Sequence, residues 1–126
     1  MAKLLRETKQ RNAIKRVFTD ENRPLSPKEV IMLASREVPN IGIATIYRNI
    51  KALVEEKELT TVEIPGQSPR YCLKENRKQA LFVCAESDQV FFLPDEAVEI
   101  KVRDMPQGYC VHHSEVILYG NSTPRS

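Results

Sequence analysis

The stretch from Ile41 to Leu59, IGIATIYRNIKALVEEKEL, constrains this chain more than any other. At 100° per residue, Ile43, Ile46, Ile50, Leu53 and Val54 collect on one side, and Ala44, Arg48 and Lys51 fall on the other with Tyr47 at the border. This pattern predicts one amphipathic helix across Gly42 to Leu59 that ends in a turn before a strand. The apolar side must be anchored and the other left free. The free face carries two cations, an aromatic hydroxyl and, near the helix start, the small residues Ala44 and Thr45, a set that suits a helix entering a DNA major groove by its N-terminal half. An ordinary surface helix with a solvated basic face is the plainer alternative. The neighbouring segments decide between them.

Thr8 is an N-cap candidate for a helix running to about Thr19, with Ala13, Ile14, Val17 and Phe18 as its buried stripe and Lys9, Arg11, Lys15 and Arg16 on its outer surface. DENRP breaks that helix. LSPKEV restarts one, with Ser26 as N-cap, Pro27 at the first helical position and Glu29 reaching back as a capping box. Val30, Leu33 and Ala34 supply its buried face until Val38-Pro39-Asn40 turns the chain into the Gly42 helix, which makes a helix-turn-helix. Thr60 to Ile64, the turn residues Pro65 to Pro69, and Arg70 to Leu73 then read as a hairpin, the wing of a winged helix. Arg70 is expected to reach a phosphate. Tyr71 and Leu73 are expected to pack inward, with Cys72 as a small wing residue.

Charge agrees with this reading once the chain is divided. Residues 1–73 hold 13 Lys and Arg against 9 Asp and Glu, net +4, whereas residues 74–126 hold 6 against 8, net −2. The basic excess lies where a polyanion would bind. No apolar run approaches the roughly 20 residues of a membrane span, and MAKLLRETKQRN lacks the apolar centre of a signal peptide, so a soluble, cytoplasmic protein is expected. Cys72, Cys84 and Cys110 are odd in number and have no disulfide-like spacing, which predicts reduced thiols. No Gly-rich phosphate loop, nucleophile with a recognisable base, or motif-spaced carboxylate pair is present, so no enzymatic activity is expected.

RETKQRNAI, LSPKEV, IGIATIYRNIKALVEEKEL and PRYCL resemble the DNA-binding half of the ferric uptake regulator family of bacterial transcription factors. LFVC, the apolar strand and short helix after it, and HHSEVILYG extend the resemblance over nearly the whole chain. The resemblance implies that Tyr47 and Arg48 contact bases and backbone, with residues near Lys9 and Arg11 supporting at the phosphates.

In the second half, Ala80 to Cys84 and Val90 to Leu93 read as strands joined by a turn at Glu86-Ser87-Asp88. Pro94-Asp95-Glu96 opens a short helix lasting to about Arg103, and Tyr109 to Tyr119 is the longest strand candidate. Val116, Ile117, Leu118 and Tyr119 put apolar groups on both faces of that strand. Such a strand needs a second cover, which a partner subunit supplies; the resemblance implies the same.

Metal ligands are where the chain departs from the resemblance. The family's histidine-rich stretch is here NRKQAL, its Cys-x-x-Cys is reduced to Cys84-Ala85-Glu86-Ser87, the second such pair is missing with Asn121-Ser122 in its place, and Phe91-Phe92 replaces a usual carboxylate. A tetrahedral site needs about four ligands, so the expectation is no metal cofactor. The alternative is a relocated zinc or other divalent-metal site, or a thiol sensor, at Cys84, Cys110 and His112.

These readings give an α+β chain: an N-terminal winged helix-turn-helix (1–73), a hinge (74–81), and a small α/β dimerisation domain (82–126). The expected function is that of a homodimeric repressor, metal-independent, binding a pseudo-palindromic operator in double-stranded DNA through Lys9, Arg11, Ala44, Thr45, Tyr47, Arg48, Lys51 and Arg70. A module that heterodimerises with a related regulator is the rival.

Overall fold

The first helix, α1, spans Ala2–Glu21 in the computed structural model, which describes residues 2–122. It starts well ahead of Thr8, because Ala2 to Glu7 are good helix formers and nothing among them stops the turn. Thr8 is therefore no cap: its hydroxyl donates back to the Leu4 carbonyl at 3.0 Å. The expected stripe of Ala13, Ile14, Val17 and Phe18 is the buried one. Asn22 closes the helix at φ 47°, its N–H donating to the Phe18 carbonyl at 3.1 Å.

The second helix, α2 (Pro27–Ala34), begins with the capping box read from sequence. The Glu29 N–H donates to Ser26 Oγ at 3.2 Å, and the Ser26 N–H donates to Glu29 Oε1 at 3.1 Å. Helix α3 (Ile43–Glu55) stops sooner than its apolar pattern suggested. Lys57 turns left-handed at φ 64°, and two 3.0 Å bonds, Lys57 N–H to Val54 O and Glu58 N–H to Leu53 O, form a Schellman motif that ends the helix four residues before Leu59.

Strands β1 (Leu59–Val62) and β2 (Arg70–Leu73) pair antiparallel, Leu59 opposite Leu73 and Val62 opposite Arg70. Leu25 adds a short bridge to Tyr71, with reciprocal bonds of 2.8 and 2.9 Å. Ile14, Phe18, Leu25, Val30, Ile46, Ile50 and Leu53 form the core beneath them, with Tyr71 and Leu73 packed partly buried against it. Cys72, read as a plain wing residue, is only 2% exposed. Residues 1–77 form one compact unit and residues 78–126 another. Of the segment expected as a hinge, Lys74–Asn76 is a single 3₁₀ turn, while Ala80 and Leu81 already belong to the next strand.

In the second unit β3 (Ala80–Cys84) is central, with β4 (Val90–Phe92) antiparallel on one side and β5 (Val116–Gly120) parallel on the other. Two expectations fail here. The helix to Arg103 is reduced to a 3₁₀ turn at Asp95–Ala97, with no side-chain cap and an extended Val98 after it. A helix that short is marginal without a face to bury, and β-branched Val98, Ile100 and Val102 favour extended backbone. The long strand from Tyr109 is confined to Val116–Gly120, since β3 offers only Ala80 to Cys84 as partners in register. The chain between β4 and β5 is otherwise irregular from Val98 to Glu115.

Candidate nucleic-acid interface

Helix α3 is anchored by Ile46, Ile50 and Leu53, which are buried, with Val54 half-buried. Ile43, expected on the same side, stands 44% exposed. The opposite face is open: Ala44, Tyr47, Arg48 and Lys51 are exposed and Thr45 is half-buried. Arg48 reaches only the Thr45 hydroxyl, at 3.5 Å, and among the described residues neither Arg48 nor Lys51 is paired with a carboxylate. Gly42, the N-cap, provides no side-chain acceptor, so the first N–H groups of α3 face outward with the positive end of the helix dipole. Open grooves flank this face. One runs along Leu4, Thr8, Arg11, Arg48 and Asn49, and the other along Tyr47, Lys51, Val54, Thr61 and Tyr71.

The cations of α1 divide differently from the sequence reading. Lys9 is exposed with no carboxylate partner among the described residues. Arg11 pairs with Glu56 and, at 3.4 Å, with Glu58, which also holds Lys15 at 3.3 Å. Arg16 pairs with Glu37, its Nε donating at 3.1 Å. Three of the four outer cations thus tie α1 to the two later helical ends. Exposed pairs of this kind are worth about 0–1 kcal/mol each, so a phosphate can displace a carboxylate from Arg11 at little cost.

Arg70 is the residue whose placement departs from expectation. It is 7% exposed, with Nη1 donating to Glu29 Oε1 at 2.8 Å and Nη2 to Gln67 Oε1 at 3.3 Å. Buried and bonded in this way, it is not part of the exposed surface formed by α3. The same Glu29 accepts from Arg23 Nη1 at 2.8 Å, and Arg23 also reaches Glu21 at 3.2 Å. One carboxylate therefore completes the cap of α2 and joins two buried guanidinium groups, one before α2 and one on the wing. The sequence signal for this was the Glu29 of the capping box, a glutamate with a second oxygen to offer.

The cysteines do not converge. Burial pushes the Cys72 thiol up to about 11, with Arg77 opposing weakly. Cys84 is the last residue of β3, where the Ser87 hydroxyl and then the backbone N–H groups of Ser87 and Glu86 hold its thiol below the usual value. Cys110 is exposed, with its Sγ 3.6 Å from His112 Nε2. Among the described residues no group of three or more His, Cys, Asp or Glu side chains is placed to hold a metal ion. In a single chain β5 is an outer strand, with Leu118 43% and Tyr119 60% exposed and Val116 and Ile117 half-buried. No helix among the described residues is long and apolar enough to cross a membrane.

Residues 2–119 match the family model described as the ferric uptake regulator family. The chain is 30% identical over 96 residues to the ferric uptake regulation protein of Bacillus subtilis (strain 168), covering 73% of this chain and 64%, just under two thirds, of that protein. It is 26% identical over 122 residues to the ferric uptake regulation protein of Cupriavidus metallidurans, covering 94% of this chain and 85% of that one. Among solved structures, a zinc-bound manganese uptake regulator is similar with a TM-score of 0.73 at 19% identity, covering 90% of this chain and 88% of that one. The Helicobacter pylori ferric uptake regulator, described as having three functional metal binding sites, is similar with a TM-score of 0.60 at 18% identity, covering 89% and 77%. An iron-containing structure of the Francisella tularensis regulator is similar with a TM-score of 0.58 at 17% identity, covering 90% and 88%.

These likenesses overturn the expectation of no metal cofactor, because solved proteins that share this fold are described as zinc-bound, as containing iron and as having three functional metal binding sites. Among the described residues the side chains do not fit such an ion: the set Cys84, Cys110 and His112 is not brought together, and only Cys110 and His112 are neighbours.

Proposed function

Because the chain belongs to the ferric uptake regulator family, whose winged-helix fold it has, we propose that it is a transcriptional repressor that binds a pseudo-palindromic operator as a homodimer. The single observation that carries this reading is the open face of α3. It is anchored from behind by Ile46, Ile50 and Leu53, while Tyr47, Arg48 and Lys51 stand exposed with no carboxylate drawn onto them. Tyr47 offers a ring to a thymine methyl and a hydroxyl to a phosphate. Arg48 is held loosely enough to turn to a base edge, and Lys51, one turn on, meets the backbone. Lys9 and Arg11 on α1 add phosphate contacts at the flank, and the uncapped start of α3 favours an anion. Two such heads related by a two-fold axis read two half-sites, and β5 is the strand through which the copies join, Val116, Ile117, Leu118 and Tyr119 receiving the cover that one chain lacks. A divalent metal is the effector class that the related proteins suggest.

The test is an operator selected from random duplexes, followed by titration of variants. Tyr47→Ala and Arg48→Ala each weaken specific binding by about 1–3 kcal/mol with the circular dichroism spectrum unchanged, whereas Lys51→Ala weakens all sequences alike and lowers the salt slope by about one. Unchanged affinity in both of the first two variants removes α3 from the role. Dimers formed only with a second, related regulator, with no operator selected by this chain alone, favour the heterodimerising reading.

A further inference from the structure

Three acids stand at the C-terminal end of α3, where the helix dipole disfavours them. Glu55 is its last residue, Glu56 its C-cap, and Glu58 follows the left-handed Lys57. No basic residue lies in the last turn to offset them. The compensating charge comes from α1 instead. Glu56 pairs with Arg11, and Glu58 with Arg11 at 3.4 Å and with Lys15 at 3.3 Å, whereas Glu55 has no cation partner among the described residues. The Glu56 and Glu58 carboxylates both meet Arg11 at Nη2.

Arg11 also lines the open groove between α1 and α3, together with Gln10, Arg48 and Asn49. Two guanidinium groups on one groove beside the reading face suit a backbone phosphate. A carboxylate is the protein group that most resembles one, since both bring anionic oxygens to the same N–H donors. Arg11 therefore has two alternative anionic partners, one on its own chain and one on a duplex. We propose that Glu56, assisted by Glu58, is an internal competitor for Arg11 that sets how tightly this chain holds DNA. This rests on the DNA-binding reading above.

In the free protein Glu56 holds Arg11; on a duplex the guanidinium exchanges that carboxylate for a phosphate, and the measured affinity carries only the difference. The side chains of Arg11 and Glu56 are 31% and 51% exposed, so the exchange strips no buried charge of its partner. Glu56 is left facing water, and Glu58 keeps Lys15. Solvation also limits the size of the effect. A pair at the upper end of the exposed range lowers affinity about fivefold per head, the equivalent of about 1 kcal/mol, and two heads on two half-sites multiply this to about 25-fold. A phosphate contact carries no sequence information, so operator and random duplex are weakened alike and their ratio is unchanged.

The experiment uses the full chain and measures equilibrium binding to the selected operator and to a random duplex of equal length at one fixed salt concentration. The parent is compared with Glu56→Gln, Glu55→Gln, Arg11→Met and the double variant of Arg11→Met with Glu56→Gln, each checked for an unchanged circular dichroism spectrum. Glu56→Gln should bind both duplexes about 2–5-fold tighter per head, with the operator-to-random ratio kept. Glu55→Gln, which removes an acid from the same helix end without freeing a cation, reports the general repulsion of DNA and gains less. In the Arg11→Met background the gain from Glu56→Gln should shrink to that of Glu55→Gln. An equal gain with and without Arg11, or a gain confined to the operator, overturns the inference. A parent that binds operator while Glu56→Gln binds no tighter defeats the competitor alone. A parent that selects no operator and holds no duplex defeats it together with the DNA-binding reading.

Discussion

Replacing Glu29 by Gln tests how the winged unit is held together. The side chain keeps its shape, and its remaining oxygen can still accept the Ser26 N–H, which lies 3.1 Å from Oε1. What is lost is the negative charge shared by Arg23 and Arg70, each 2.8 Å away and each about nine-tenths buried. At an effective dielectric of about 20, a pair at such range attracts by roughly 6 kcal/mol before desolvation is subtracted. Removing one partner of a buried pair typically costs about 3–5 kcal/mol. Two features reduce that figure here: the Glu29 side chain is 21% exposed, and Arg23 keeps Glu21 while Arg70 keeps Gln67. The expected loss is about 2–4 kcal/mol, a large part of the roughly 4–12 kcal/mol that holds a unit of this size. Urea denaturation with an unchanged slope measures it. Arg70→Met should cost less, about 1–2 kcal/mol, since Glu29 then retains Arg23 and the cap. A Glu29→Gln loss below about 1 kcal/mol, or one smaller than that of Arg70→Met, would refute the shared-carboxylate argument.

Lys57→Gly should stabilise the first unit by about 0.5–1 kcal/mol, because a side chain is strained at φ 64° and glycine is not, less the entropy that glycine loses on folding; thermal melts decide it, and a destabilised variant refutes the strain. Cys72 sets a pH dependence: its thiol is raised from 9.0 to about 11, so the folded chain holds that proton longer than the unfolded one. Its contribution is complete below pH 9 and declines by up to about 2–3 kcal/mol as pH rises through 11, a slope that Cys72→Ala should abolish. Leu118→Asp should sediment as a monomer at concentrations where the parent chain is a dimer, and undiminished dimerisation would take β5 out of the interface.

What could be read in the first unit was what local chemistry decides. Ser26, Pro27 and Glu29 satisfy each other within four residues, and the stripe Ile46, Ile50, Leu53 follows from helical period alone. Thr8 was misread because cap preference ranks residue types without asking whether the residues before them would stop a helix, and AKLLRE does not. The burial of Arg70 is hidden for a different reason. Strand alternation tells which residues share a face, and nothing in RYCL announces a carboxylate 41 positions earlier that draws the guanidinium inward. The capping box gives Glu29 one hydrogen bond, whereas its two oxygens serve three donors.

The second unit was less legible because its decisive partners are distant in the sequence. Acids after Pro94 and alternating Val98, Ile100 and Val102 obey the rule for a helix start and the rule for a strand at once, and with no surface to bury against, neither element forms. The length of β5 is set by β3, a limit that Tyr109 to Tyr119 does not carry within itself.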